Sequence, residues 1–262
     1  MRSEKVVDYI SEWLKSYAES AGTKGFVVGV SGGVDSAVVS ALCAKTSLPT
    51  LCVELPIHQD PGQVNRAQAH ILDLKQRFEN VSDIRVDLTQ VFEQFQASLP
   101  HHEQGYALDL SLANSRSRLR MTTLYHFAGL YNFLVAGTGN KVEDFGVGFF
   151  TKYGDGGVDI SPIGDLMKSE VYSLASSLEI TESIQQAIPT DGLFGDSRSD
   201  EEQLGASYDE LEWAMEMAEI DKTEDDFEGR QKEVFSIYLS RHRKNKHKIV
   251  PIPVCKIPVH LK

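Results

Sequence analysis

Val6, Val7, Ile10, Trp13, Leu14 and Tyr17 recur at helical spacing, so the first twenty residues predict one amphipathic helix packed outside a sheet. The continuous apolar run Gly25 to Val30 then reads as a buried strand, which passes through a glycine turn into the apolar helix Ala37 to Ala44. Thr50 to Leu55 repeats the strand signal. Asp60 followed by Pro61 supplies a cap and a first-turn proline, predicting a helix to about Phe78. Ile84 to Leu88 forms a third predicted strand with a helix over residues 91–99 behind it. A long helix, Ser111 to Tyr131, and a fourth strand, Phe133 to Thr138, complete the alternation. This order predicts an α/β fold: a doubly wound, mostly parallel sheet with helices on both faces.

From Asn140 onward the pattern changes. A glycine-rich stretch at 146–157 reads as a mobile polar loop able to close over a substrate. Helices are predicted near 165–178, 207–219 and 229–246. The acidic segment Asp191 to Gln203 is expected to order as a lid when ligand binds. Pro251, Pro253 and Pro258 predict an extended tail running over a surface. No internal repeat divides the chain, which is expected to be a single domain over residues 1–262.

Hydrophobic residues make up 41% of the 262, which favours a packed core over disorder. With 26 Lys plus Arg against 38 Asp plus Glu, the net charge is −12, which argues against binding nucleic acid through bulk charge. No apolar run approaches the ~20 residues of a membrane span, so no membrane partner is expected. Cys43, Cys52 and Cys255 show no CxxC spacing, and the first two read as small buried hydrophobes. A cytoplasmic location is the expectation.

The most informative short run is Ser31-Gly32-Gly33-Val34-Asp35-Ser36, set between an apolar strand and an apolar helix. Glycines let backbone amides approach an anion, and the helix N-terminus adds its positive end, so the geometry suits a polyphosphate. It is not GxxxxGK[ST], because no lysine follows the glycines. An ordinary strand-to-helix turn would carry similar residues, but Asp35 would repel a phosphate unless a divalent cation sat between them. The run resembles the SGGxDS signature of ATP-pyrophosphatases, which adenylate a substrate and release pyrophosphate.

Residues 148–159, GFFTKYGDGGVD, followed by Ser161-Pro162, narrow the choice. With GTGNKVE at 137–143, Pro189-Thr190 and LGASYDE at 204–210, they resemble the NAD synthetase family from about Val6 to Lys248. That resemblance implies an adenine-nucleotide α-hydrolase-like fold. It places ATP, as co-substrate, on Gly29, Val30, Ser31, Gly32, Gly33, Val34, Asp35, Ser36, Thr138 and Thr190, with Lys168 reaching the phosphates. Magnesium (Mg2+) would be held by Asp35 and Glu143. Nicotinic acid adenine dinucleotide (deamido-NAD) would meet Arg118, Lys152, Asp159, His247 and Lys248, with Asp155 near the reacting carboxylate. Asp155 and Lys168 are thereby the catalytic candidates.

On a helix Arg118 points nearly opposite Arg116 and Arg120, so the three cannot share one ligand. The resemblance selects Arg118 and leaves the other two as surface or salt-bridge residues. Ile249 and the pair Gly139-Asn140 depart from what the family commonly carries, and Asn140 is assigned no role. The family also implies a homodimer. Ser31 comes so early that no N-terminal amidase domain is expected, which makes free ammonia the nitrogen donor. Two alternatives stay open: another ATP-pyrophosphatase ligase, or a non-catalytic adenine-nucleotide-binding module.

Overall fold

The structure is a computed structural model that describes residues 1–190, 192 and 199–262. Four parallel strands, β1 (Phe26–Gly29), β2 (Thr50–Glu54), β3 (Val81–Arg85) and β4 (Leu134–Val135), form one sheet in the order β3-β2-β1-β4. Phe26 stands opposite both Thr50 and Leu134, and Thr50 opposite Val81. Because helices cover both faces, the central strands need apolar side chains at every position, which is why they read as unbroken runs. Phe26, Val28 and Cys52 face one way, while Val27, Leu51 and Val53 face the other.

The first face is covered by α1 (Ser3–Ala21), α2 (Val34–Lys45), α3 (Pro61–Arg77) and α6 (Lys168–Ser177). Val7, Ile10, Leu14 and Ala18 form the buried stripe of α1. Removing a side chain such as Leu14 from water contributes about 1.5–3 kcal/mol. On the second face lie α4 (Thr89–Ser98) and α5 (Tyr106–Tyr131), packed through Phe92, Phe127 and Ala128. A separate apolar cluster joins a π-helical segment, Lys141–Val147, to α9 (Tyr208–Glu219) and α10 (Gly229–Ile249) through Val142, Val147, Leu211 and Phe235. Two short helices, α7 (Glu182–Gln185) and α8 (Asp200–Leu204), precede α9. Among the described residues no helix is long and apolar enough to cross a membrane.

The sheet is as expected from the alternation, with shifted boundaries. Pairing of β3 begins at Val81, three residues before the predicted strand. The apolar run still lies beside β2, because the Val86 amide donates to the Glu54 carbonyl and the Leu88 amide to that of Pro56. β4 ends at Val135, not Thr138, since only Ala136 continues into a single bridge with Ile160. The long helix starts at Tyr106, five residues earlier than expected, and α10 runs to Ile249, so His247 and Lys248 occupy its last turn. As expected, Cys43 and Cys52 are buried; Cys255 is exposed on the tail, and all three thiols are free. The chain leaves β1 toward β2 on one side and reaches β4 on the other. That switch in direction opens a crevice at the strands' carboxyl ends.

Candidate active site

The crevice is a cleft of about 290 Å³. Gly29 through Ser36 form its floor, and Thr138, Glu143, Asp155, Lys168 and Thr190 also line it. At Gly32 φ is +85°, and a Cβ there would lie 2.4 Å from the Gln63 carbonyl oxygen, so both the turn and the contact with α3 demand glycine. The Ser36 hydroxyl donates to the Gly33 carbonyl (3.0 Å), while Ser31 and Gly33 donate amide hydrogens to Ser36 Oγ and Ser31 Oγ. These bonds brace the loop from within. They leave the first-turn amides of α2 at the cleft, where the helix dipole adds positive potential.

Opposite the cradle, α6 begins with Lys168. Its ammonium donates to Asp35 Oδ2 at 2.6 Å and to Glu143 Oε1 at 3.0 Å, and its side chain is 3% exposed. Burial opposes that charge, but the two carboxylates outweigh it and hold the Lys168 pKa above its ordinary value. Burial lifts Asp35 above the usual carboxylate range despite Lys168. Glu143 is driven the other way, because Lys168 and the Tyr208 hydroxyl (2.5 Å) together overcome its burial.

Asn140, assigned no role from the sequence, is fully buried at this junction. Its Nδ2 donates to Asp35 Oδ1 (3.1 Å), and its Oδ1 caps the π-helical turn by accepting from the Glu143 amide. An asparagine directly before a helical turn is a capping signal, and Ser207-Tyr208 likewise starts α9. Those signals could have marked Asn140 and Tyr208. Nothing in the sequence pairs either with Asp35 or Glu143.

The glycine stretch read as a mobile loop is instead pinned. Thr151 Oγ1 donates to Asn114 Oδ1 (2.7 Å), Lys152 Nζ to the His247 carbonyl (2.5 Å), and Lys248 Nζ to the Phe150 carbonyl (2.6 Å). Within it, Asp155 faces the cleft while protein encloses it on its other sides, and that enclosure raises its pKa.

Among residues assigned to the dinucleotide, Arg118, Lys152, His247 and Lys248 gather around this loop but outside the cleft lining. Arg118 donates to the Lys152 carbonyl (3.4 and 3.3 Å). Asp159 stands apart from them, accepting from the Tyr125 hydroxyl (3.0 Å) and the Val135 amide (2.8 Å). Arg120 is not a surface residue: it lines the cleft and donates to the Leu55 carbonyl and Gln59 Oε1. Arg116 lays its guanidinium over Phe92, 4.7 Å from the ring centre. The reason is that α5 packs against β1, so its 113-117-120-124 face turns inward. Thr190 lies in the cleft, but residues 191 and 193–198 of the expected lid fall outside the described residues.

The parallel sheet with helices on both faces and an anion cradle after its first strand fits the adenine-nucleotide α-hydrolase class, the fold of its structural neighbours. Comparison with known proteins agrees. The profile of the NAD synthase family matches residues 6–251. An NH(3)-dependent NAD(+) synthetase of Syntrophomonas wolfei is 40% identical, covering 81% of this chain and 84% of that one. Another, from Pyrobaculum aerophilum, is 34% identical over 95% of this chain and 91% of its own. The solved structure of an NMN synthetase from Francisella tularensis superposes with a TM-score of 0.83 at 29% identity, covering 99% of each chain. The chain belongs to the NAD synthase family and groups with its ammonia-dependent members.

Proposed function

We propose that this chain forms NAD by amidating nicotinic acid adenine dinucleotide with free ammonia, at the expense of ATP cleaved to AMP and pyrophosphate. One observation carries this reading: the cradle, Lys168, Thr138, Thr190 and Asp155 share a single cleft. The nicotinate carboxylate attacks the α-phosphorus of ATP in line, pyrophosphate departs, and an acyl-adenylate remains. Ammonia then attacks the acyl carbon and AMP leaves. No protein atom becomes covalently attached, so the chain contributes position and charge. Cradle amides hold phosphate oxygens, Lys168 supplies positive charge beside them, and Asp155 accepts the proton that ammonium must lose.

Asp35 and Glu143 suit magnesium by chemistry: both offer hard oxygen donors, and together they carry more negative charge than Lys168 alone compensates. Among the described residues no three His, Cys, Asp or Glu side chains converge as a metal-holding group, so phosphate oxygens would complete the shell. The ion would supply charge stabilisation at the departing pyrophosphate. Arg118, Lys152, His247 and Lys248 lie outside the cleft lining, which favours a homodimer in which a second copy closes the dinucleotide site.

The Francisella neighbour's name favours a second reading, in which the acceptor is the corresponding mononucleotide. Pyrophosphate release from ATP, measured with nicotinic acid adenine dinucleotide, nicotinic acid mononucleotide or neither, separates the two. Release that requires the dinucleotide, followed by NAD formation with ammonium chloride but not with ammonia-free glutamine, is the expected result. Release with neither acceptor present, or faster release with the mononucleotide, overturns it.

A further inference from the structure

Two of the cleft carboxylates meet the Lys168 ammonium, but Asp155 is held by uncharged donors. Its Oδ1 accepts from the Ser117 hydroxyl at 2.6 Å and from the Thr151 amide at 3.0 Å. Ser117 Oγ in turn accepts from the Asp155 amide at 2.8 Å, which directs its own hydrogen onto the carboxylate. Ser117 is 4% exposed and lies on the inward face of α5. Gly154 makes the approach possible, since a Cβ there would lie 2.2 Å from Ser117 Oγ. One turn away Asn114 receives Thr151, so residues 114 and 117 of one helix fix both ends of the Thr151–Asp155 turn.

We infer that Ser117 is the positioning residue for Asp155, engaging Oδ1 so that Oδ2 is the oxygen presented to the ammonium nitrogen. The inference rests on Asp155 being the proton acceptor of the proposed reaction. In that step Oδ2 takes one proton from ammonium, and the N–H electron pair stays on nitrogen. That pair forms the C–N bond to the acyl carbon, while the C–O bond to the adenylyl phosphate breaks and AMP leaves with its electrons. A second proton passes from nitrogen to solvent, leaving the amide. The Ser117 hydroxyl stabilises the ionised carboxylate that begins this sequence.

The test compares wild type, Ser117→Ala and Ser117→Cys by the pH dependence of kcat/KM for total ammonium. Losing the donor favours the protonated carboxyl, so the acid limb should move to higher pH by about one unit, and kcat/KM for ammonium should fall by up to about tenfold on that limb. KM for ATP and pyrophosphate release should stay unchanged. Ser117→Cys keeps the volume with a weaker donor and should shift in the same direction; it carries the test if Ser117→Ala does not fold. Profiles superimposable on wild type for the folded variants overturn the inference. Asp155→Asn distinguishes the two levels. Full synthesis by that variant overturns the proton-acceptor reading and Ser117's role with it, whereas an inactive Asp155→Asn beside unshifted Ser117 variants overturns Ser117's role alone.

Discussion

The cleft and the basic rim around the 148–157 loop handle charge in opposite ways. In the cleft, Lys168 meets Asp35 and Glu143, and Glu143 meets Tyr208, so these three charges are answered by side chains of the same site. On the rim the cations meet backbone carbonyls: Arg118 that of Lys152, Lys152 that of His247, and Lys248 that of Phe150. A carbonyl satisfies a donor without cancelling its charge. The rim therefore keeps positive potential on a chain of net charge −12, while in the cleft the Lys168 charge is more than offset by its two carboxylates. Removing the cleft's cation should disturb folding and chemistry together; substitutions on the rim should disturb binding alone.

The largest effect should follow Lys168→Ala. It leaves two partly buried carboxylates facing each other without a cation, which should destabilise the fold by about 3–5 kcal/mol and reduce pyrophosphate release at least a hundredfold. Urea melts together with single-turnover release check both. A stable but inactive variant would break the comparison, since it would show Lys168 serving ATP without holding the site. Asp35→Asn and Glu143→Gln keep hydrogen-bonding groups beside Lys168, so turnover should fall with little loss of stability. Near-normal turnover in either would remove the ligand role proposed for it.

The cradle was legible from the sequence because its chemistry is local: strand, two glycines and helix N-terminus are contiguous from Phe26 to Ser36. Lys168's position was not legible, because its partners lie 133 and 25 residues away on α2 and on the π-helical segment, and only the fold, with α6 packed on α2, brings them together. Nothing in an isolated lysine at a helix start says that it is buried. For the arginines of α5, helical geometry correctly set Arg118 against Arg116 and Arg120, but periodicity cannot say which face the sheet takes. The glycine loop misled for a related reason. Its glycines lie in tight packing: a Cβ at Gly156 would meet the Phe150 ring at 2.3 Å, so they admit neighbours as well as permitting motion.

Next in size is a pH effect beneath the cradle. His70 is fully buried on α3, and its Nε2 lies 2.9 Å from Ser40 Oγ, one turn along α2 from Ser36. Burial pulls its pKa from 6.5 to about 4. Above pH 6.5 both folded and unfolded chains hold it neutral. As pH falls toward 4, only the unfolded chain gains the proton, so this group should remove up to about 3 kcal/mol of stability across that window. Denaturation midpoints measured at pH 7 and pH 4.5 should differ less in His70→Gln than in wild type. An equal difference in the two proteins would show that the acid sensitivity arises elsewhere in the cleft.

The smallest effect on stability, and the one that isolates binding, belongs to the rim. Arg118 and His247 are exposed, and their hydrogen bonds end on carbonyls of the surface they border. Arg118→Ala and His247→Ala should therefore change unfolding free energy by no more than about 0.5 kcal/mol. Loss of one charge-assisted contact to an anionic substrate is worth about 1.5 kcal/mol, so KM for the dinucleotide should rise about tenfold in each. KM for ATP should not move, because neither residue lines the cleft. Raising the ionic strength should narrow the gap between wild type and variants, since exposed charges are screened over about 8–10 Å at moderate salt. Unchanged KM for both substrates would detach the rim from the reaction. A large loss of stability would show instead that these side chains help hold α5 or α10 in place, and the division between an ion-paired cleft and an outward-facing rim would fail.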